Sequence, residues 1–211
     1  MLMFLLLFVV FAIAAGALWF HGLWGNAITL INLMLAMLLA TNFYEPVATM
    51  ATGFSAGANY FWDFAAVWVL FFIFFVIFRV ITDGLSQQPV KFIMPVEMAG
   101  RTVLSLWSAW LMVCFVTFTL QMAPLNSVEP MGAWKTPTEG TFLGFAPDRM
   151  WLGFMQKNSR GYLSRGNYSG VVNASKDQDT GAEVFDPYGE FTHKYRYRRE
   201  KYAALSGMTP E

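Results

Sequence analysis

The sequence predicts an all-α membrane protein: four transmembrane helices followed by a loop-rich, partly ordered C-terminal tail. Three observations lead there. The chain of 211 residues is 56% hydrophobic and only 13% charged, where a soluble domain carries about 25% charged residues. The first 44 residues contain no Asp, Glu, Lys or Arg. The charge is also divided unevenly. Residues 1–122 carry three basic side chains (Arg79, Lys91, Arg101) and four acidic ones (Glu45, Asp63, Asp83, Glu97), leaving eleven basic and ten acidic for residues 123–211. The net charge of zero therefore averages a membrane domain, 1–122, and a polar, aromatic-rich extramembrane tail, 123–211.

Four apolar runs have the length of one crossing, which takes about 20 residues for a hydrocarbon core of about 30 Å. The first covers residues 1–20. A signal peptide competes with it, because "AIAAGA" supplies small residues, but the run lacks the basic n-region of a secretory signal. A retained helix is expected. The second covers 27–44 and is predicted to stop there, because Pro46 disfavours helical geometry at Glu45. Between the two, "HGLWGN" reads as a turn, with Asn26 as the N-cap of the second helix and Trp24 as an interfacial anchor. The two segments could instead form a shallow re-entrant pair.

The third run, 61–78, is aromatic on every face. Asp63 falls in its first turn, at the positive end of the helix dipole, and Arg79 at its far end, where it can snorkel to headgroups. Both read as interfacial anchors, with Arg101 beside them in the sequence pattern. Residues 80–101 are expected to form a short amphipathic connection. The fourth run, 102–122, places Ser105, Ser108 and Ala109 at about one-turn spacing, which lets helices approach closely. Asn32 in the second run should also face another helix, because an unbonded amide in lipid is costly.

Orientation follows from the short connections. Arg79, Lys91 and Arg101 lie in or beside 80–101, whereas the 45–60 loop has no Lys or Arg. Positive residues favour the cytoplasmic side, so the tail is expected to be extracytoplasmic. Only Lys135 of its basic residues lies near a helix end.

The tail is rich in aromatics (Trp134, Phe142, Phe145, Trp151, Phe154, Phe185, Phe191, Tyr195) and poor in aliphatics, as in a segment that wraps a membrane domain or a partner. Residues 173–183 have the composition of a flexible linker. Residues 193–206, "HKYRYRREKYAALS", read as a short helix whose basic and tyrosine residues suit a headgroup or protein surface. A solvated face is the plainer reading.

No Gly-x-Ser-x-Gly elbow, Walker A motif or G-x-G-x-x-G fingerprint is present. The two histidines, His21 and His193, have no second histidine at ligand spacing. The lone cysteine, Cys114, allows no intramolecular disulfide. Asn167 and Asn173 match the short glycosylation pattern. No catalytic residue, metal or cofactor is expected, and no nucleic-acid partner.

The stretch "GLWGNAITLINLMLAMLLATNFYEPVATMA" has a Gly-aromatic turn, a helix with small residues and an exit Ala40-x-x-x-Tyr44-x-Pro46. It resembles the early segment of the colicin V production protein family of bacterial inner-membrane proteins. "MAGRTVLSLWSAWLMV" is similar to the entry of that family's last helix. The resemblance covers the membrane part. This chain departs from it by an uncharged first turn and by Ser and Ala where the family's final helix is richer in glycine. The resemblance implies a multi-pass protein of the bacterial inner membrane that serves toxin production or secretion, or envelope homeostasis, through protein partners or as a homo-oligomer. It implies no catalytic residues. A transporter component using Asn32, Thr29 or Thr117, and an accessory subunit of a larger membrane complex, are the competing expectations.

Overall fold

The computed structural model describes residues 2–53, 59–86, 90, 92–125, 129–134, 139–159, 185–186 and 189–205. The linker 173–183, the patterns at Asn167 and Asn173, and Lys91 and Lys135 lie outside them. Among these residues six α-helices appear in chain order: α1 (Leu2–Trp19), α2 (Gly22–Thr52), α3 (Asn59–Leu85), α4 (Met94–Met122), α5 (Pro147–Ser159) and α6 (Phe191–Leu205), with a short 3-10 turn at Pro130–Gly132. Among the described residues there is no β-strand, only one isolated bridge between Phe142 and Phe145. The first four helices are long and apolar enough to cross a membrane, so the all-α class with four membrane-capable helices is correct.

α4 is the central helix, in contact with α1, α2, α3 and α5, while α2 and α3 pack as an antiparallel pair. The burial pattern follows. Half of the apolar window of α4 is buried, but only 11% of that of α1 and 17% of that of α3, leaving Phe8, Ile13, Phe72 and Val76 facing outward. Lipid is as apolar as these side chains, so burial against another helix gains little hydrophobic energy. Close van der Waals packing and interhelical hydrogen bonds must hold the bundle instead. Small buried residues provide that approach: Ala36, Ala40 and Ala48 on α2, and Ser105, Ser108 and Ala109 on α4. Larger rings fill the spaces, as where Phe115 lies 5.1 Å from Phe71 and 5.6 Å from Trp68.

Several boundaries differ from the sequence reading. The reversal after α1 takes Phe20 and His21, with Gly22 opening α2, not the six residues of "HGLWGN". His21 N–H donates to the Leu18 carbonyl, and Gly22 has φ +72°, a left-handed conformation that glycine adopts without a Cβ penalty. Asn26 is consequently inside α2 and does not cap it. Its side-chain amide donates to the Arg101 carbonyl at 3.4 Å.

The predicted stop at Tyr44 is also corrected. α2 runs through Pro46 to Thr52. Proline removes one helical hydrogen bond and crowds the preceding turn, but Tyr44 and Ala48 on either side of it are both buried in the main core. The Pro46 carbonyl accepts the Thr49 hydroxyl at 2.8 Å. Packing on both sides of the proline outweighs the local preference. The 80–101 connection is shorter than expected, since α3 extends to Leu85 and α4 begins at Met94.

The described tail does not stand apart. Trp151, Leu152, Met155, Phe185, Phe191 and Tyr195 share one core with Tyr44, Phe71, Phe115 and Phe118 of the bundle. A second cluster joins Met3 and Leu7 of α1 to Val113 of α4 and to Ala133, Trp134 and Phe142. The start of α1 therefore lies at the same end of the bundle as the tail. At the other end, the Arg101 guanidinium sits 4.8 Å over the Trp19 ring.

Candidate functional site at the tail-capped end of the bundle

Polar side chains concentrate in two layers. On α2 these include Asn26 and Glu45, separated by about 28 Å of helix at 1.5 Å per residue. That is close to the thickness of a hydrocarbon core.

The layer at the α1–α2 turn is made of helix-to-helix bonds. Trp24 Nε1–H donates to Ser86 Oγ at 2.8 Å. Arg79 pairs with Asp83 at 3.0 Å and donates to the Thr29 hydroxyl at 3.1 Å. Asn32 Nδ2–H donates to Thr82 Oγ1 at 2.8 Å. Trp24, Arg79 and Arg101 thus sit together at one end, where each has a protein contact. Asn32 lies about 9 Å along α2 from Asn26 and about 5 Å from the midpoint between Asn26 and Glu45, where its amide is held by Thr82. Ser105 donates to the Thr102 carbonyl within α4 at 3.0 Å. Ser108 Oγ is buried with no hydrogen-bond partner among the described residues, so its role there is its small volume.

The opposite layer is built by α6. Asp186 Oδ1 accepts the N–H groups of Glu190 and Phe191 at 2.8 and 3.2 Å, which satisfies donors that open the helix. Phe191, Tyr195 and Arg199 then recur every four residues and are all buried, forming one face. Phe191 stacks on Phe118 at 5.0 Å and lies 4.6 Å from Tyr195.

That face delivers two polar groups to the bundle. In the first, Tyr195 donates its hydroxyl to Asp63 Oδ2 at 2.8 Å, and Arg198 forms an ion pair with the same oxygen. The Arg198 guanidinium also lies 5.1 Å over the Tyr195 ring. Lys194 reaches Glu45 at 3.9 Å, and the Tyr44 hydroxyl donates to Glu45 at 3.4 Å. Burial pushes the Tyr195 hydroxyl well above its usual pKa, with Tyr44 and Asp63 adding to the shift. Tyr195 therefore remains a proton donor. Asp63 is not simply an interfacial anchor. Its side chain is 14% exposed and it joins α3 to the tail.

In the second group, Gln121 near the end of α4 is a buried hub. Its Nε2–H donates to Asp148 Oδ2 of α5 at 2.8 Å. Its backbone carbonyl and Oε1 accept from Arg199 at 2.7 and 3.3 Å. Arg199 in turn lies 5.3 Å over the Trp134 ring. Burial, with Arg196 nearby, lowers the Arg199 pKa to about 10, so the guanidinium is still charged at neutral pH. Burial raises the Asp148 pKa against the opposing hydrogen bond from Gln121. One neutral amide thus separates a buried carboxyl from a buried guanidinium and bonds to both.

Sequence reasoning missed Gln121, Asp148 and Arg199, together with the helix that carries Asp148. The signals were there: Pro147 at the first turn of α5, and Trp151, Leu152, Met155 and Ser159 recurring on one face. Among the described residues no group of three or more His, Cys, Asp and Glu could hold a metal ion. What the arrangement does is fasten. Four of the bonded residues, Tyr44, Glu45, Asp63 and Gln121, are on α2, α3 or α4 and the rest on the tail, so α6 is held to the bundle by ion pairs and α5 by the Asp148–Gln121 hydrogen bond, as well as by aromatic packing.

Comparison with models of known protein families, with curated proteins and with solved structures found no match.

Proposed function

We propose that this chain is a non-enzymatic, multi-pass protein of the bacterial inner membrane, with its tail on the extracytoplasmic side. It acts through protein partners in envelope homeostasis or in the production or secretion of a toxin-like product. The resemblance to the colicin V production family supplies the biological setting. The observation that carries a partner-based role is the fastening of α5 and α6 to the bundle. Asp63–Arg198 and Asp148–Gln121–Arg199 hold the tail in one arrangement, and a fixed face suits recognition by another protein.

A transport role has less support. Asn32 and Thr29 bond to Thr82 and Arg79, and Thr117 donates to the Val113 carbonyl in its own helix. Intramembrane groups that mark a transport path are normally ionisable and line a cavity.

Two measurements test the proposal. Phosphatase and fluorescent-protein fusions at Glu211 should give an extracytoplasmic readout, and a cytoplasmic one rejects the orientation. Purification in mild detergent should recover stoichiometric partners or a defined homo-oligomer. A lone, homogeneous monomer rejects the partner-based role.

A further inference from the structure

The tail residues Thr141–Phe145 lie much deeper along the bundle than Gln121. The Phe142 ring is 5.2 Å from Phe4, 6.4 Å from Phe11 and 6.0 Å from Trp110, and Phe145 meets Trp110 edge-on at 5.7 Å. Trp110 precedes the last residue of α4 by twelve positions, about 18 Å of helix, and Phe11 follows the first residue of α1 by nine, about 14 Å. These contacts are within the apolar windows of both helices.

The outward surface of the turn matches that depth. Leu143 is 63% exposed and Phe145 57%, two large apolar side chains on a tight turn that would be costly to hold in water. The backbone is largely self-satisfied. Thr141 N–H and Phe142 N–H donate to the Phe145 carbonyl at 2.9 and 3.2 Å, and Phe145 N–H to the Phe142 carbonyl at 2.8 Å. Non-helical backbone at membrane depth is tolerated where protein buries it, and Thr141 and Phe142 are both buried. Glycine makes the turn this tight, since a Cβ on Gly140 would come 2.9 Å from the Gly144 carbonyl oxygen.

α5 continues the same surface. Met150, Trp151 and Phe154 wall a groove of about 660 Å³ whose other side includes Met34, Trp107 and Cys114. Among the described residues no charged one lines it. It opens beside Leu106 and Trp107, which already face outward on α4, so it is continuous with the lipid-facing side of the bundle. At its tail-side end Trp151 packs on Phe115 and bonds to Thr41. α5 therefore obstructs a straight spanning helix, whereas a flexible chain can enter from below.

We infer that the Thr141–Phe145 turn and the apolar face of α5 are immersed in the tail-side leaflet, and that lipid acyl chains fill the groove beneath α5. This rests on the reading of the chain as a membrane protein. The tail is then not wholly extramembrane: part of it is a re-entrant element, and α6 with its polar contacts lies above it.

The test uses the full chain in phosphatidylcholine–phosphatidylglycerol vesicles. Cys114→Ala removes the sole cysteine, and Leu143→Cys, Phe145→Cys or Met150→Cys then carries a nitroxide. Phe72→Cys on the exposed face of α3 and Tyr197→Cys on α6 serve as references. Labels at 143, 145 and 150 should collide with oxygen as the Phe72 label does and lose access to a water-soluble nickel chelate. Chelate access equal to that at Tyr197 overturns the inference. Water-like behaviour at Phe72 instead overturns the membrane reading itself. Spin–spin broadening at Met150 that disappears on dilution with unlabelled protein places a second copy at the groove and overturns lipid occupancy.

Discussion

Tyr195 on α6 and Asp63 on α3 are 132 positions apart in sequence, yet the tyrosine hydroxyl donates to the carboxylate at 2.8 Å. The same oxygen carries the ion pair to Arg198, one turn further along α6. A carboxylate near the start of a membrane helix thus joins the contacts that fix where α6 lies.

Asp63→Asn retains an acceptor for Tyr195 but removes the charge that pairs with Arg198. The pair is partly buried, between the exposed case worth less than about 1 kcal/mol and the fully buried case where losing one partner costs about 3–5 kcal/mol. We expect undocking of α6 to become easier by about 1–3 kcal/mol. Trypsin cleavage at Lys194–Lys201 in nanodiscs should accelerate by about 5-fold or more. An unchanged rate would show that the other contacts of α6, aromatic and polar, hold the helix without this charge pair.

Arg198→Gln should cost little further once Asp63 is already Asn, because residues that act as one unit are not additive. The double-mutant cycle measures this when read with chymotrypsin at Tyr195–Tyr202, because Arg198→Gln itself removes a trypsin site. Two independent, additive losses would mean that Arg198 works through some other contact.

Asp148 has the opposite sign. Its pKa is raised by burial, so the folded state binds the proton more tightly than the unfolded state does. Stability contributed at this site is full below the ordinary carboxyl pKa and falls as pH rises through the raised value. Asp148→Asn keeps an acceptor for Gln121 Nε2–H and removes the charge. The variant should melt higher than the parent at neutral pH, and the difference should shrink as pH falls towards 4. Equal melting temperatures at all pH values would place the Asp148 carboxyl in contact with water.

The membrane helices were legible because their signal is composition over about 20 residues, which lipid demands of any crossing. Some of their ends were too, such as both ends of α1 and the end of α4 at Met122, but the ends of α2 and α3 and the start of α4 were not. The change from apolar to polar sequence marks where lipid ends, while the helical hydrogen bonds of α3 continue past Phe78 to Leu85. At Pro46 a one-residue preference was outweighed by Tyr44 and Ala48, whose partners lie on other helices. The tail site was hidden for a related reason. Gln121, Asp148 and Arg199 are unremarkable singly, and their partners are 27 and 78 positions away. α6 could be read from its own residues, and the aromatic excess of the tail correctly pointed to a segment that packs on another surface.

Trp151 tests how far α5 depends on that packing. It is 2% exposed, meets Phe115 edge-on at 5.8 Å and donates its indole N–H to Thr41 at 3.2 Å. Trp151→Ala should cost about 3–5 kcal/mol and release α5 to proteolysis. Trp151→Phe keeps most of the contact and should cost about 1 kcal/mol, since Thr41 still bonds to the Met37 carbonyl. If both substitutions lowered stability equally, the hydrogen bond rather than the ring would be the main attachment.

Asn32 separates a packing role from a transport role. Its amide donates to Thr82 Oγ1, which itself donates to the Phe78 carbonyl at 2.8 Å. Asn32→Leu removes one α2–α3 bond while Thr82 keeps its own partner. Interhelical hydrogen bonds in membranes average about 0.6 kcal/mol and reach about 1.7 kcal/mol, so the thermal midpoint in detergent should fall only slightly. Asn32→Asp places a carboxylate against the Thr82 hydroxyl a few residues inside the lipid and should destabilise more than Leu does, because an intramembrane charge is more costly than an apolar replacement. Thermal unfolding of the three proteins side by side gives the order. If Asn32→Leu left stability untouched but abolished solute flux in reconstituted vesicles, the amide would belong to a permeation path and not to the seam between α2 and α3.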